Sequence, residues 1–365
     1  MKLSCTQENL ASALSKVCPI ATKGGTLPIL SNILLSSKEG ALRISATNLE
    51  VGINADVRGK IETEGTFTVN GRLFFDYVNL LSSDTVSLEL EGDHLRVRAG
   101  SQQTKIQGLA AEEFPVIPSI EADESYVLDV PEFREALNQV LFAVSISDAR
   151  PELSGVLMSF NEKIITLVGT DSYRLAERKM ELKQEIKQPR EIIVPLRTVQ
   201  ELARILGHEE GEILISVNEN QVLFSVGEVE LISRVIAGTF PDYKEIIPKK
   251  NSTKVVLDKD PLIRAIKSAS LFCRQGLNHV SFQFSSDKIL VSASASQIGE
   301  NVIEVPAKIF DRDVDIVFDY RYVLDGLSAI SGSEVEILLD GSNSPGVFNP
   351  IEKGKYIYLV MPIKQ

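Results

Sequence analysis

Residues 239–248 read TFPDYKEIIP, and residues 112–118 read EEFPVIP. Both segments place Phe-Pro a few residues before Ile-Pro, and Phe240 follows Phe114 by 126 positions. A repeat of this length is a whole domain, because the repeats of solenoid proteins span only about 20–50 residues. These two segments therefore indicate that the chain contains similar domains in tandem.

A second landmark recurs at nearly the same distance and gives the number of copies. Ser294 lies 124 positions after Thr170, which lies 123 positions after Thr47. The three segments that carry these residues are SATNLEV at 45–51, VGTDSYRLAE at 168–177 and SASAS at 292–296. The sequence therefore predicts three similar domains, at residues 1–122, 123–249 and 250–365, with linkers near 119–125 and 248–254.

Hydrophobic periodicity predicts the same elements in each of the three blocks. Leu42, Ile44 and Ala46 alternate with Arg43 and Ser45, which is the pattern of a strand with one buried face. Apolar residues at spacings of three and four predict amphipathic helices at 6–17, 71–81, 131–145, 195–206, 260–273 and 319–330. Each block reads as a strand, a helix and three strands, twice over. We therefore predict an α+β fold, in which each domain packs two helices on antiparallel sheets.

Composition narrows the class of protein. The chain has 365 residues, a formal net charge of −12, no tryptophan and three cysteines without a CxxC pair. Odd, unpaired cysteines and a polar start without a signal peptide favour the cytoplasm. The longest apolar run, 356–363, is too short to cross a bilayer, so no membrane partner is expected. The acidic net charge argues against nucleic acid unless basic residues are concentrated on one surface.

Motifs for catalysis are missing from the sequence. We find no phosphate loop, no GxGxxG, no GxSxG and no HExxH, and the three histidines are scattered one to a block. The sequence therefore predicts a non-enzymatic protein with no catalytic residue, no metal site and no cofactor.

Four short segments carry a family resemblance. They are TLPILSNILL at 26–35, Thr170-Asp171-x-x-Arg174-Leu175-Ala176, FPDY at 240–243 and VMPI at 360–363. In this order and spacing the chain resembles the bacterial DNA polymerase III beta subunit, the sliding clamp, from its first residue to its last. The resemblance implies the DNA clamp fold and a homodimer closed head to tail into a ring. It implies that the ring encircles duplex DNA and tethers the replicative polymerase and other replication and repair proteins. An ATP-dependent loader would open the ring.

The resemblance also implies three sets of site residues. Partner peptides would bind a pocket made of Leu153, Thr170, Ser172, Tyr173, Arg174, Leu175, Pro241, Ile246, Ser344, Val360, Met361, Pro362 and Ile363. DNA would meet Lys23, Arg72, Arg134, Arg150, Arg197, Arg204, Arg264 and Lys267. The dimer would form through Leu73, Tyr77, Leu81 and Ile106 of one chain and Leu271, Phe272 and Glu300 of the other.

Each set has a plainer alternative. Leu175 and Val360 alone read as sheet core, Leu81 and Ile106 read equally as core, and any single helix arginine reads as a solvated surface residue. Many family members have Gly-His where this chain has Ser172-Tyr173, so Tyr173 could narrow the pocket. For the whole chain, the alternatives to a clamp are a non-catalytic interaction scaffold, a hydrolase or transferase, and a surface repeat protein.

Overall fold

The structure is a computed structural model that describes residues 1–21, 27–38, 40–147, 149–186, 188–274, 276–352 and 354–364. The elements of the first block are β1 (Lys2–Thr6), α1 (Gln7–Val17), β2 (Asn32–Lys38), β3 (Ala41–Thr47), β4 (Val51–Thr63), β5 (Gly65–Asn70), α2 (Gly71–Asn79), β6 (Thr85–Glu91), β7 (His94–Ala99) and β8 (Gln102–Leu109). Those of the second are β9 (Glu124–Asp129), α3 (Val130–Leu141), β10 (Gly155–Asn161), β11 (Ile164–Thr170), β12 (Arg174–Glu181), β13 (Arg190–Pro195), α4 (Leu196–Leu206), β14 (Glu212–Val217), β15 (Gln221–Val226) and β16 (Val229–Arg234).

The third block repeats this order with one extra short strand, β21. Its elements are β17 (Thr253–Asp258), α5 (Lys259–Ser270), β18 (His279–Ser285), β19 (Lys288–Ala295), β20 (Gly299–Pro306), β21 (Lys308–Asp311), β22 (Val314–Asp319), α6 (Tyr320–Ala329), β23 (Glu334–Leu339), β24 (Gly346–Pro350) and β25 (Tyr356–Val360). The predicted succession of strand, helix and three strands, twice in each block, is confirmed.

The six helices lie where the periodicity places them. Polar residues cap several of them: the Thr6 side chain accepts the Asn9 N–H at the start of α1, and Asn70 and Asp319 act in the same way on α2 and α6. Two predicted ends were wrong, because α3 stops at Leu141 and α5 at Ser270. The apolar residues that follow these ends belong to loops rather than to the helices.

The described chain forms two compact units. Unit 1 contains residues 1–130 and 204–235, and unit 2 contains residues 131–203 and 236 onward. The middle block therefore contributes strands to both units. In unit 1, β16 pairs antiparallel with β4, and this joins strands of the first two blocks into a 12-stranded sheet in the order β1-β6-β7-β8-β5-β2-β3-β4-β16-β15-β14-β9.

Unit 2 repeats this junction between the second and third blocks. Strand β25 pairs antiparallel with β12, within a nine-stranded sheet in the order β13-β10-β11-β12-β25-β24-β23-β17-β21. A four-stranded sheet, β20-β19-β18-β22, completes the unit. By their place in the blocks, β25 corresponds to β16, and β12 corresponds to β4.

Strand β3 shows the predicted alternation in part, because Ser45, expected on the polar face, is buried as well. Leu42, Ile44 and Ala46 are all fully buried, while Arg43 between them is exposed. No helix in the described part of the chain is long and apolar enough to span a membrane.

Candidate functional site

A tight turn between β11 and β12 lies at the centre of the predicted peptide pocket. The Thr170 hydroxyl donates to the Arg174 carbonyl at 2.7 Å, and the Asp171 carboxylate accepts the N–H groups of Tyr173 at 2.9 Å and Arg174 at 3.0 Å. Ser172 takes a left-handed backbone, with φ of 78°. The turn leaves the Tyr173 side chain 64% exposed. It therefore presents one aromatic ring to solvent on a backbone held by side chains.

The C-terminal segment lies against this turn. Val360 faces Arg174 in the β25·β12 pair, and the Met361 N–H donates to the Tyr173 carbonyl at 2.8 Å. Further on, the Ile363 N–H donates to a backbone carbonyl of β22 at 2.8 Å. The residues Met361, Pro362 and Ile363 are half-buried. The structure thus brings the two ends of the predicted pocket together.

An apolar cluster forms the floor beneath the turn and the C-terminal segment. Met361 packs against it, and its buried members are Leu153, Leu157, Val168, Leu175, Ile193, Phe240, Tyr243, Val347 and Leu359. Leu175 and Val360 are completely buried. Sheet core is therefore the better description of these two residues, which a ligand cannot touch directly. Leu153, 3% exposed, also lies in the floor.

The segment after Phe240 forms another part of the predicted pocket. Pro241 and Ile246 are exposed, whereas Tyr243 between them is buried, and its hydroxyl donates to the buried Glu177 carboxylate at 2.6 Å. Burial and this carboxylate raise the pKa of the Tyr243 hydroxyl, which therefore remains a donor. The contact fixes the segment that carries Pro241 and Ile246. Ser344 is half-buried in the turn before β24.

Arg174 was predicted as pocket lining, but most of its side chain faces inward. Its Nε donates to Asp171 at 3.0 Å, and one terminal nitrogen donates to Asp325 of α6 at 2.5 Å. The guanidinium carbon lies 4.5 Å from the ring centroid of Tyr322 and 5.6 Å from that of Phe142. With 13% of its side chain exposed, Arg174 is held by its neighbours. The carboxylates of Asp171 and Asp325 already neutralise its positive charge.

The predicted DNA-binding residues divide by their surroundings. Arg197, Arg264 and Lys267 are exposed on α4 and α5. Arg72 is exposed on α2 and pairs with Asp76 one turn away at 2.8 Å. Each of these four side chains is exposed, and contact with DNA stays a prediction for them.

The other predicted DNA-binding residues fit that role less well. Arg204 is half-buried and donates to the Ser15 and Lys16 carbonyls at 2.9 and 2.6 Å, at the end of α1. Arginine at a helix C-terminus satisfies carbonyls left without intrahelical partners, so these contacts support a structural role for Arg204, and its contact with DNA stays a prediction. The remaining residues are Arg134, half-buried in α3; Arg150, exposed and donating to Glu152 and Ser172; and Lys23, which lies outside the described residues.

The predicted dimer residues also divide. Leu73 on α2 and Leu271 after α5 are 55% and 73% exposed, which is unusual for leucine. Leu81 and Ile106 are buried within unit 1, so the core alternative holds for their side chains. Tyr77 and Phe272 are half-buried and Glu300 is exposed.

Comparison with known proteins covers nearly the whole chain. The family models for the N-terminal, central and C-terminal domains of the DNA polymerase III beta subunit match residues 1–118, 127–242 and 244–364. The chain belongs to the DNA polymerase III beta subunit family.

Individual beta subunits agree with this assignment. The beta sliding clamp of Synechocystis sp. is 29% identical, with 100% of this chain and 99% of that protein covered. The crystal structure of the Bacillus subtilis sliding clamp is 26% identical, covers 100% of this chain and 99% of its own, and superposes with a TM-score of 0.95. The Pseudomonas aeruginosa beta subunit, at 26% identity and full coverage of both chains, gives 0.96 and has also been solved bound to griselimycin. The chain therefore has the DNA clamp fold and functions as a sliding clamp for a DNA polymerase.

The sequence did not predict several residues that hold this site of the beta subunit in place. Asp325 and Tyr322 lie far from Arg174 along the chain, and Glu177 is far from Tyr243. Comparison of the repeats could have pointed to Arg174 and Tyr243. Only the second block combines an arginine after the turn with a tyrosine after Phe-Pro. Among the described residues, no group of three or more His, Cys, Asp or Glu could hold a metal ion.

Proposed function

We propose that two copies of this chain close head to tail into a ring that encircles duplex DNA and tethers a polymerase to it. The observation that carries the proposal is a pair of strand edges, one in the first block and one in the third, that have no partner strand among the described residues. Strand β8 corresponds to β16 and β25, and β20 corresponds to β4 and β12. Within the described residues, β20 ends its sheet, and residues 102–107 of β8 pair only with β7. Pairing β8 with β20 of a second chain would repeat both internal junctions.

The internal junctions also give a register for this pairing. Glu300 of β20 faces Ser294 of β19, as Gly52 of β4 faces Thr47 of β3. Glu300 therefore occupies the place of Gly52. On its other side Gly52 faces Ile232 of β16, so Glu300 should face the residue of β8 that corresponds to Ile232.

That residue is Lys105. Gly227 and Gly100 close equivalent hairpins with φ of 54° and 58°, and Ile232 and Lys105 each follow their glycine by five positions. Lys105 would thus face Glu300 across the two chains. A pair of opposite charges at facing positions stabilises an antiparallel sheet by roughly 0.2–1 kcal/mol. The exposed Leu73 on α2 and Leu271, directly after α5, would lie beside this junction and supply apolar contact.

Charge reversal tests the ring and its register. Lys105→Glu and Glu300→Lys should each weaken dimerisation severalfold in sedimentation equilibrium, and the double variant should recover it. Lys288→Glu, which alters a surface ion pair with Glu304 in the same hairpin, is the control. A wild-type chain that stays monomeric at micromolar concentration would remove the ring. Single variants that dimerise as well as the wild type would contradict the pairing of Lys105 with Glu300.

Exposed basic side chains on the helices would face the DNA in such a ring. Arg197, Arg264 and Lys267 give a modest positive bias, and weak phosphate contacts permit movement along the duplex. No sequence readout is required. An ATP-dependent loader would place the ring on DNA in the cytoplasm. The protein should stay on nicked circular DNA after loading and leave when the circle is cut. Retention that survives cutting would favour the alternative of a scaffold that binds DNA without enclosing it.

Partner proteins would bind through short peptides at the turn of residues 170–174. The exposed Tyr173 and Ile246, with the half-buried Met361, offer apolar anchors around a fixed backbone, and Met adapts to varied ligands. Tyr173→Ala with Met361→Ala should abolish binding of the cognate polymerase and leave the dimer intact. Ile164→Ala, which truncates another exposed apolar residue, on β11, is the control. Unchanged polymerase affinity in the double variant would show that the pocket is elsewhere.

The three predicted domains, at residues 1–122, 123–249 and 250–365, would then supply six equivalent positions around the ring. The three family models and the repeated element order support this division. The protein would act by topology and binding, without catalysis.

A further inference from the structure

The turn that presents Tyr173 has a close copy in the first block. The Thr47 hydroxyl donates to the Val51 carbonyl at 3.0 Å, and the Asn48 side chain accepts two backbone N–H groups, at 3.0 and 2.8 Å. Leu49 has φ of 77°, against 78° for Ser172. The backbone turn alone therefore does not distinguish the second block from the first.

The residue after the turn does distinguish them. The second block has Arg174 where the first has Val51, and the third has Gly299 at the matching point of its hairpin. Only the second block can therefore make an ionic contact from this position. That contact reaches α6, where Asp325 accepts from Arg174 at 2.5 Å.

A short chain of contacts links Asp325 to the exposed part of the pocket. Arg174 donates its Nε and its backbone N–H to Asp171, which also accepts the Tyr173 N–H. The Tyr173 carbonyl accepts the Met361 N–H. Each link is a hydrogen bond of 3.0 Å or less, and four of the five residues belong to the turn or to the C-terminal segment.

The burial of Arg174 explains why Asp325 matters. The Arg174 side chain is 13% exposed, whereas that of Asp325 is 46% exposed. Removal of Asp325 would leave a largely buried guanidinium with one carboxylate, and charged groups without full pairing move toward water when they can. Arg174 is tied to the turn because its Nε and its backbone N–H both donate to Asp171, so a shift of the guanidinium would disturb Asp171 and the Tyr173 N–H that the same carboxylate accepts.

We propose that Asp325 is a positioning residue of the peptide-binding site: it holds Arg174 against Asp171 and so fixes the turn that presents Tyr173. The inference rests on the proposed peptide pocket. It also explains why the equivalent turn in the first block need not bind peptides, since Val51 cannot make the ionic contact that fixes the turn in the second block. Asp325 acts through Arg174 and need not touch the ligand.

Two measurements on the full chain test this role. The first is hydrogen–deuterium exchange without ligand, in which Asp325→Asn should speed exchange of the Tyr173 and Arg174 amides and leave most of unit 2 unchanged. The second is affinity for griselimycin, which the Pseudomonas aeruginosa clamp binds and which should occupy the proposed pocket; the affinity should fall roughly five- to tenfold, the effect of losing one typical hydrogen bond. Asp325→Glu keeps the carboxylate and should recover most of both properties. Asp319→Asn, which unpairs Arg321 on the same helix, is the control.

The outcomes separate the inference from the function on which it rests. Normal exchange at residues 171–174 together with normal affinity in Asp325→Asn would overturn the positioning role. Faster exchange across all of unit 2, without recovery in Asp325→Glu, would overturn it too, because it would indicate only general destabilisation. Met361→Ala reports on the pocket itself. Undiminished griselimycin affinity in Met361→Ala would count against the proposed pocket, and the exchange data would still decide the role of Asp325.

Discussion

Gly326→Ala should destabilise unit 2, although alanine is the better helix former. Gly326 lies in α6, where an added β-carbon would stand 2.1 Å from both Cδ1 and Cε1 of Tyr358. Tyr358 is fully buried, and its hydroxyl donates to the Tyr322 carbonyl at 2.8 Å. Its ring centroid lies 5.2 Å from that of Phe142 and 6.2 Å from that of Phe348. The ring therefore has no free space into which it could turn.

Two opposing effects set the expected size of the change. Replacing glycine with alanine inside a helix is worth about 1 kcal/mol in favour of the variant. Ordinary contact begins near 3.4 Å, so α6 or the Tyr358 ring must move by about 1.3 Å. Overpacking in a filled core costs about 1–3 kcal/mol and sometimes more. Because the overlap is large and involves a pinned ring, we expect a net loss of about 2 kcal/mol.

Urea unfolding followed by circular dichroism measures the loss, and hydrogen–deuterium exchange of β25 locates it. Ser328→Ala is the matched control, since it adds no atoms and alters an exposed position of the same helix. The control should change the free energy of unfolding by less than about 0.5 kcal/mol. A Gly326→Ala variant as stable as the wild type would refute the close approach of α6 to β25.

Three further predictions concern thiols and arginines. Iodoacetamide at pH 8 should label the half-buried Cys273 well before the buried Cys5 and Cys18, because burial raises the pKa of Cys5 to about 11 and that of Cys18 to about 12; equal labelling of the three cysteines in a peptide map would contradict this. Because folding raises the pKa of the Cys18 thiol, the neutral thiol contributes to the free energy of unfolding. This contribution is fully present below the ordinary pKa of 9.0 and is lost as the pH rises toward 12. Between pH 8 and 11 the wild type should therefore lose about 3 kcal/mol more than Cys18→Ala in urea unfolding. Arg204→Ala should lower the free energy of unfolding by about 2 kcal/mol, and the exposed Arg197→Ala by less than 0.5 kcal/mol, in the same assay.

Element type and order could be predicted because burial leaves a periodic pattern in the side chains. Leu42, Ile44 and Ala46 alternate with polar residues because one face of β3 is buried. The pairing of β16 with β4 leaves no such pattern. Backbone N–H and C=O groups form this pairing, and nearly every residue carries both groups whatever its side chain. The sequence therefore predicted repeated blocks and did not predict that strands of the middle block join sheets with both neighbours.

The candidate site could be predicted in outline only. Tyr173 and Met361 were correctly expected to lie near each other, because the family motif marks both ends of the pocket. The inward direction of Arg174 could not be read, since its partner Asp325 is 151 positions away and no local spacing links them. The contacts of Arg204 with the end of α1 could not be predicted for a similar reason, because a helix arginine has the same sequence pattern whether it faces solvent or the end of another helix.

The β16·β4 junction has a consequence for synthesis of the chain. Strand β4 ends at Thr63, and β16 begins only at Val229. At about 5–20 residues per second, a ribosome needs roughly 10–30 s to make the intervening stretch. During that time the nascent first block presents an incomplete sheet edge, the kind of surface that recruits wrong partners. Protection of nascent chains should therefore be needed most before the codon for Arg234 is read.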